Sequence, residues 1–587
     1  MLILLYHKEK YKSTGRIGDI FMDMLLPNIW GQGQLFAFSG LDGECLHGDD
    51  LVGVLSGDRV GIRFFTATVR ELAFHGISAH KPSFDAVTGD LIISTTQNGE
   101  RLAAVYADTH LVVGIVPSGV LPAVTVEGAH NATEQGNITL HTTPDGDVSA
   151  LVFSDGRFAF TVGHTEADAV ARAERGMTLD VDAVIENKLD YYRRVHLDIS
   201  DERRLRFTRK LLSVMKTQIY SPEGRFTGLW STPDRLPHRN LWLWDSVFHA
   251  IGARNLDPTL AERLILSVLE TEDESGFIPH MATPTTRSRI TQPPVIAWGA
   301  LKVYEKSKNI EFLRQIFKQN AKFLEWCRIN RREGEPELYT WLTSPNLNCR
   351  CDESGMDNSP RFDTSDRLFA IDFSCFMANE ARSMSRIASL LGDSVGEHFY
   401  AEWYDRIKRD INEYLWCAED GFYYDYDIDN ARLYKVRSVA SFLPLLAGVC
   451  DGAAAESLTA ALTDPADFAA PLAIPSIAKN DPTYGSDMWR GPVWINYNYM
   501  ITEGLADYGY RTLAADIRTR TVAAVESWYY RSGTYFEFYD SENLRAPCEL
   551  NRKGTPYNPY DFRVRYQSIR DYGWTGTLTF DMIINPI

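Results

Sequence analysis

The sequence predicts a multidomain chain, an N-terminal β-sandwich followed by a large all-α domain. Three observations predict it. Up to about residue 165, short apolar runs alternate with turn residues. From Glu166 to Arg194 the chain becomes charged and alanine-rich, and beyond about residue 200 the apolar period is helical. At 587 residues the chain also exceeds one ordinary domain.

Residues 1–165 are read as the sandwich. Leu151-Val152-Phe153-Ser154 and Arg157-Phe158-Ala159-Phe160-Thr161-Val162 flank Asp155-Gly156, a pair that tolerates the positive φ of a tight hairpin. Phe158, Phe160 and Val162 alternate, which directs one face inward. Pro144-Asp145-Gly146 and Thr88-Gly89-Asp90 punctuate similar runs. Residues 166–199, interrupted by Gly176, read as a linker ending in a helix. In 200–587, Leu313, Ile316, Phe317, Phe323, Leu324 and Cys327 form one helical stripe, and Trp403, Ile407, Ile411 and Leu415 recur every four residues. About a dozen such segments fit this length. Twelve helices suffice for a closed toroid of six hairpins, but period and count alone establish only an all-α domain.

The formal net charge of −18 repels phosphate backbones and anionic lipid, so neither nucleic acid nor membrane is an expected partner. A neutral small molecule fits better. Leu2 to Leu5, followed by His7-Lys8-Glu9-Lys10, is too short for a signal-peptide core, and no stretch approaches a membrane span. The expectation is a cytoplasmic protein, in which the sequons at Asn131 and Asn137 carry no meaning. The eight cysteines include no CxxC pair and read as reduced thiols. No cofactor or metal is expected, and oligomeric state is not legible.

Four segments crowd polar and aromatic residues together. His238 to His249 contains Trp244-Asp245, where a carboxylate can bind sugar hydroxyls while indoles stack on the ring; a capping aspartate beside core tryptophans is equally compatible with the spacing. The stretch from Asp352 to Asp363 holds four acids, and a general acid needs a carboxyl kept neutral by burial or a neighbouring carboxylate. A solvated acidic turn is the bland alternative. Tyr484 to Tyr497 offers Trp489 and Trp494 as walls and Arg490 as a polar clamp, although Gly491-Pro492 is also ordinary loop-to-helix punctuation. In Tyr535 to Asp540, alternation places Tyr535, Glu537 and Tyr539 on one face, framing a carboxylate suited to activating water, or an ordinary hairpin glutamate.

Taken in order, these segments resemble the family 63 glycosidases, comprising the processing α-glucosidases and bacterial relatives that include mannosylglycerate and glucosylglycerate hydrolases. The resemblance lies in Trp244-Asp245-Ser246-Val247-Phe248-His249, Ser354-Gly355-Met356-Asp357-Asn358-Ser359-Pro360-Arg361, Trp489-Arg490-Gly491-Pro492-Val493-Trp494-Ile495-Asn496 and Phe536-Glu537-Phe538-Tyr539-Asp540, with weaker matches at Asp420 to Asp425 and Gly573-Trp574-Thr575-Gly576. It covers about 200–587. It implies an (α/α)6 toroid and an inverting mechanism, with Asp357 as general acid, Glu537 as general base and Asp245 holding substrate. Asn358-Ser359 stands where many processing glucosidases carry an aspartate and an aromatic, a variation closer to the small bacterial hydrolases. The expected substrate is a small α-glucoside or α-mannoside of disaccharide or glycosylglycerate type; Arg287 and Arg289 are candidates to meet an acidic aglycone. A trehalase-like hydrolase and a non-catalytic carbohydrate-binding protein on the same toroid are the rivals.

Overall fold

Asp155 and Gly156 both take positive φ, 52° and 72°, and close the expected hairpin with Ser154 paired to Arg157. The structure is a computed structural model that describes residues 36–38, 51–56, 69–81, 83–87, 91–108, 111–126, 128–129, 132–144, 146–194, 197–220, 222, 224–234, 240–346, 349–532, 535–553, 568–569 and 571–587. The turn at Thr88-Gly89-Asp90, the segment from Leu2 to Lys10, Asn131, Asp145, Cys45, the Cys548 side chain and His238-Arg239 lie outside the described residues.

The longer strands occupy the N-terminal part, and helices dominate the C-terminal part, where the strands are two or three residues long. Strands β1 (Phe36–Phe38), β2 (Leu51–Ser56) and β3 (Val69–His75) form one antiparallel sheet with β8 (Leu121–Val126). The second sheet is antiparallel and eight-stranded. It contains β4 (Ser83–Val87), β5 (Leu91–Thr95), β6 (Arg101–Asp108), β7 (Leu111–Ile115), β9 (Ala132–Gln135), β10 (Ile138–Thr142), β11 (Val148–Ser154) and β12 (Arg157–Gly163), in the order β4-β5-β6-β7-β12-β11-β10-β9. One apolar cluster draws on both sheets. Leu72, Phe74 and Val124 meet Leu102, Val112, Phe158 and Phe160 there, so period-2 alternation buries one face of each sheet.

The stretch read as a linker is mostly helical. Helix α1 (Glu166–Thr178) runs straight through Gly176, and α2 (Val181–Arg194) follows. A Cβ at Gly176 would lie 2.7 Å from the Ala159 Cβ, so this glycine permits close approach to the sheet and does not break the helix. Ala169 and Ala173 of α1 are buried against Ile138, Ala150 and Val152.

Twelve α-helices among the described residues follow residue 200. They are α3 (Glu202–Thr217), α4 (Leu243–Ala253), α5 (Pro258–Leu269), α6 (Ile296–Ser307), α7 (Ile310–Arg331), α8 (Ile371–Leu391), α9 (Ser394–Tyr414), α10 (Leu443–Ala447), α11 (Gly452–Thr463), α12 (Ile495–Asp507), α13 (Arg511–Ser532) and α14 (Gly573–Ile584). Burial alternates along this series. Every residue of α4 and α10 is buried, as are most of α8, α12 and α14 and the first two turns of α6. By contrast, α7, α9 and α11 bury one stripe and turn a charged or polar face outward. Helix α4 packs on α6, α6 on α8, α8 on α10, α10 on α12 and α12 on α14, while α14 returns to pack on α4. No helix among the described residues is long and apolar enough to cross a membrane.

Candidate active site

Five of the six more buried helices supply residues to one cavity of about 340 Å³, from their first turn or the loop leading into it. Helix N-termini gather unpaired N–H groups and partial positive charge, so this end of the fold suits carboxylates and hydroxyls. The volume is in the usual range of small-molecule sites.

The loop before α8 decides which of its four acids reach the cavity. Glu353 is buried in an ion pair with Arg331, 2.7 Å away, and accepts from the Thr291 and Leu342 amides. Asp363 pairs with Arg490. Asp352 and Asp357 line the cavity. Arg361, fully buried, anchors the loop: its guanidinium donates to Asp372 at 2.6 and 2.8 Å and to Asp425 at 2.7 and 2.8 Å. Gly355 is also required. Its φ is +71°, and a Cβ there would lie 2.3 Å from the Trp244 ring. Gly355→Ala is therefore expected to displace Trp244 and lower kcat/KM by roughly 10–10²-fold, checked by steady-state kinetics alongside circular dichroism.

Glu537 lies just before Phe538–Tyr539, which pair with Val493–Trp494, so a short ladder brings it beside Trp494. Its backbone amide donates to the Ile569 carbonyl at 2.7 Å. Asp245 sits in the first turn of α4, and both carboxylates are about 2% exposed. Burial, with the negative charge of Glu537 adding to it, holds the Asp245 carboxyl well above the usual range. The Tyr572 hydroxyl donates to it weakly, at 3.4 Å. Trp244 and Trp574 meet edge to face, with ring centroids 5.4 Å apart, and both line the cavity. His280, pushed down to about 4 by burial, is neutral and shares a 2.6 Å hydrogen bond with Ser288.

Two adjacent cations serve the two expected catalytic carboxylates. Arg552 donates from Nε and Nη2 to Glu537 at 3.2 and 3.3 Å, and Lys553 reaches Asp357 Oδ2 at 2.7 Å. Lys553 holds a left-handed backbone, φ 59°, and so does cavity-lining Met488 at 45°. Such conformations cost on the order of 1–2 kcal/mol for an L-residue and concentrate at functional sites.

Trp244, Asp245, Asp357, Trp494 and Glu537 thus come together, whereas Trp489 and Arg490 do not line the cavity. Trp489 is stacked behind Trp494, rings 3.8 Å apart and within 3° of parallel, which makes it support for a wall and not the wall. Arg490 is turned away to Asp363. Arg287 is engaged by Asp273 at 3.1 Å, and neither it nor Arg289 borders the cavity. Sequence reasoning missed Gln292, Arg552, Lys553 and Tyr572. Tyr572 adjoins the Gly573-Trp574 motif, but the basic pair has no informative spacing. Cys349, Asp352 and Asp357 place three donor atoms within 4.8 Å of one another, and Lys553 Nζ stands among them, 3.0 Å from the sulfur. The positive charge that such a cluster attracts is thereby supplied by the chain. The six cysteines with described side chains are unpaired.

This site, a carboxylate-lined, tryptophan-walled hollow on a mainly helical frame, is that of a carbohydrate-processing protein, and comparison with known proteins agrees. Residues 238–558, over half of the chain, match the family model described as "Mannosylglycerate hydrolase MGH1-like glycoside hydrolase domain". A mannosylglycerate hydrolase of Thermus thermophilus is 27% identical over 386 residues, covering 51% of this chain and 88% of that protein. A mannosylglycerate hydrolase of Selaginella moellendorffii is 24% identical over 51% of this chain and 75% of its own length. Among solved structures, the family 63 mannosylglycerate hydrolase of T. thermophilus in complex with glucose superposes with a TM-score of 0.52 at 24% identity, over 63% of this chain and 98% of that one. A bacterial glucoamylase shares the fold over 95% of this chain and 89% of its own, with a TM-score of 0.56 at 11% identity. The chain belongs to the MGH1-like glycoside hydrolases, a family 63-like group, and is a glycosidase.

Proposed function

We propose that this glycosidase is an inverting, exo-acting hydrolase of a small α-glucoside or α-mannoside, of disaccharide or glycosylglycerate type. The observation that carries the reading is that Asp357 and Glu537, remote in sequence, line one sugar-sized cavity with Asp245 and the Trp244 and Trp494 walls. Protonated Asp357 gives its proton to the glycosidic oxygen as the bond to C1 breaks. Ionised Glu537, aimed by the two Arg552 hydrogen bonds, takes a proton from the water that attacks C1 from the other face. Inverting pairs work with ~6.5–9.5 Å between carboxyls, which leaves room for that water. Asp245, buried in the first turn of α4, holds ring hydroxyls.

Similarity to mannosylglycerate hydrolases favours a glycosylglycerate among the candidate substrates. The six inner and six outer helices, with α14 packed back on α4, support an (α/α)6 toroid over 200–587. The two sheets with a shared core support a β-sandwich in 1–165, with 166–199 connecting the two.

A panel of α-disaccharides, mannosylglycerate and glucosylglycerate, scored by released monosaccharide, tests the substrate class. Proton NMR at early times should show the β-anomer first. Release of the α-anomer, or no release from the whole panel, overturns the reading.

A further inference from the structure

The ammonium on Asp357 is unexpected for a general acid, because a cation at 2.7 Å occupies the carboxyl oxygen where the transferable proton is needed. Lys553 does not serve Asp357 alone. Its Nζ is 3.0 Å from Cys349 Sγ and 3.7 Å from Asp352 Oδ1. The Cys349 thiol donates closely to Asp352 Oδ1 and lies 3.7 Å from Asp357 Oδ2. Two carboxylates therefore share one ammonium and one thiol, with their oxygens within 4.8 Å of each other.

We propose that Lys553, Asp352 and Cys349 act on the reaction through Asp357, as a cluster in which two carboxylates share one proton and the position of Lys553 decides which of them carries it. This rests on reading Asp357 as the acid. In the unliganded cavity the ammonium favours Asp357, so the proton resides on Asp352. Two features support that placement. Burial among the cavity walls, with Asp357 beside it, raises the Asp352 carboxyl, and burial keeps the intervening thiol protonated. When the aglycone oxygen takes its place at Asp357, Lys553 shifts toward Asp352. The thiol turns its S–H from Asp352 to Asp357 Oδ2; Asp352 then gives its own proton to the sulfur as the thiol proton passes to Asp357, and the cluster's charge is unchanged. Asp357 then protonates the departing oxygen, which keeps the C1–O electron pair. The water oxygen bonds to C1 and its proton goes to Glu537.

Among the described residues, the other charged or titratable groups acting on Asp357 are His280 and Arg552, and Asp245 and Glu537 share the cavity. His280 is neutral in the working range, and Arg552 is committed to Glu537. Lys553 and Asp352 are thus the charges whose removal should move the basic limb of the pH profile, which reports the acid. They should move it in opposite directions. Lys553 and Asp352 are positioning residues, and both are partly open to the cavity, with 32% and 45% of the side chain exposed, so replacing them spares the core.

The test is the pH dependence of kcat/KM on the fastest substrate of the panel. Lys553→Met should move the basic limb up by about one pH unit and Asp352→Asn should move it down by a similar amount. Lys553→Arg should restore the limb, because charge is what matters. On the matching α-glycosyl fluoride, whose leaving group needs little protonation, the shifts of the basic limb should largely disappear in both variants. Limbs that stay fixed, or that move the same way in both variants, overturn this inference provided Asp357→Asn is inactive. An active Asp357→Asn enzyme would instead overturn the underlying assignment of the acid.

Discussion

Asp357→Asn is expected to lower kcat by ~10²–10⁴-fold with little change in far-ultraviolet circular dichroism or melting temperature. The amide fills the same space, and position 357 faces the cavity, so the loop fixed by Arg361 and Glu353 has no cause to move. KM should change far less than kcat, because the lost proton matters only as the glycosidic bond breaks. Glu537→Gln should cut turnover as deeply but is a less clean experiment. It leaves the Arg552 guanidinium, itself buried, with half of its charged partner's acceptor capacity and none of its charge. Lower stability should therefore accompany the loss of activity in that variant. Near wild-type turnover in either protein would remove the acid–base assignment.

The second large effect concerns stability. Arg361→Met is expected to cost ~3–5 kcal/mol, seen as a sharp fall in melting temperature or in soluble yield. The side chain is fully buried, and its fork satisfies both oxygens of Asp372 and of Asp425, so its removal strands two like charges in the core. The deficit should deepen as pH rises. A carboxyl stranded in the core is held above its unfolded value, so the stability it contributes is fully present below the unfolded pKa and is lost as pH rises through the folded pKa. Burial already raises Asp425 with Arg361 in place. Arg361→Lys should recover little, since a point-like ammonium cannot meet two carboxylates in the fork geometry. Thermal melts at two pH values check this, and a variant as stable as wild type contradicts it.

These two positions illustrate what the sequence does and does not reveal. Asp357 and Glu537 stand in dense local motifs, so composition and order alone single them out. The Asp155-Gly156 turn is legible for a similar reason, since only certain residues tolerate positive φ at two successive positions. Trp489 and Arg490 show the limit. Both belong to the right motif, but the chain turns sharply there, with φ of 45° at Met488 and 122° at Gly491, and spacing does not say which side of such a turn faces the cavity. Gly176 reads as an interruption because its composition is that of a breaker, whereas its role depends on Ala159, a residue of a strand. Arg552 and Lys553 are illegible for the opposite reason. A basic pair is common, and its meaning comes only from the two acids that folding delivers to it. The packing of α14 on α4 is likewise a contact between distant parts of the chain that no local period encodes.

That Arg552 and Lys553 are consecutive constrains how such an enzyme can change. Deleting or inserting one residue ahead of them would disturb the partners of acid and base together, whereas a substitution at either one alters a single half of the reaction. Variation that retunes the working pH should therefore arise here by replacement, with the length of the preceding segment held fixed. The spacing from Glu537 to this pair becomes a property to preserve in redesign, as much as the identity of either carboxylate.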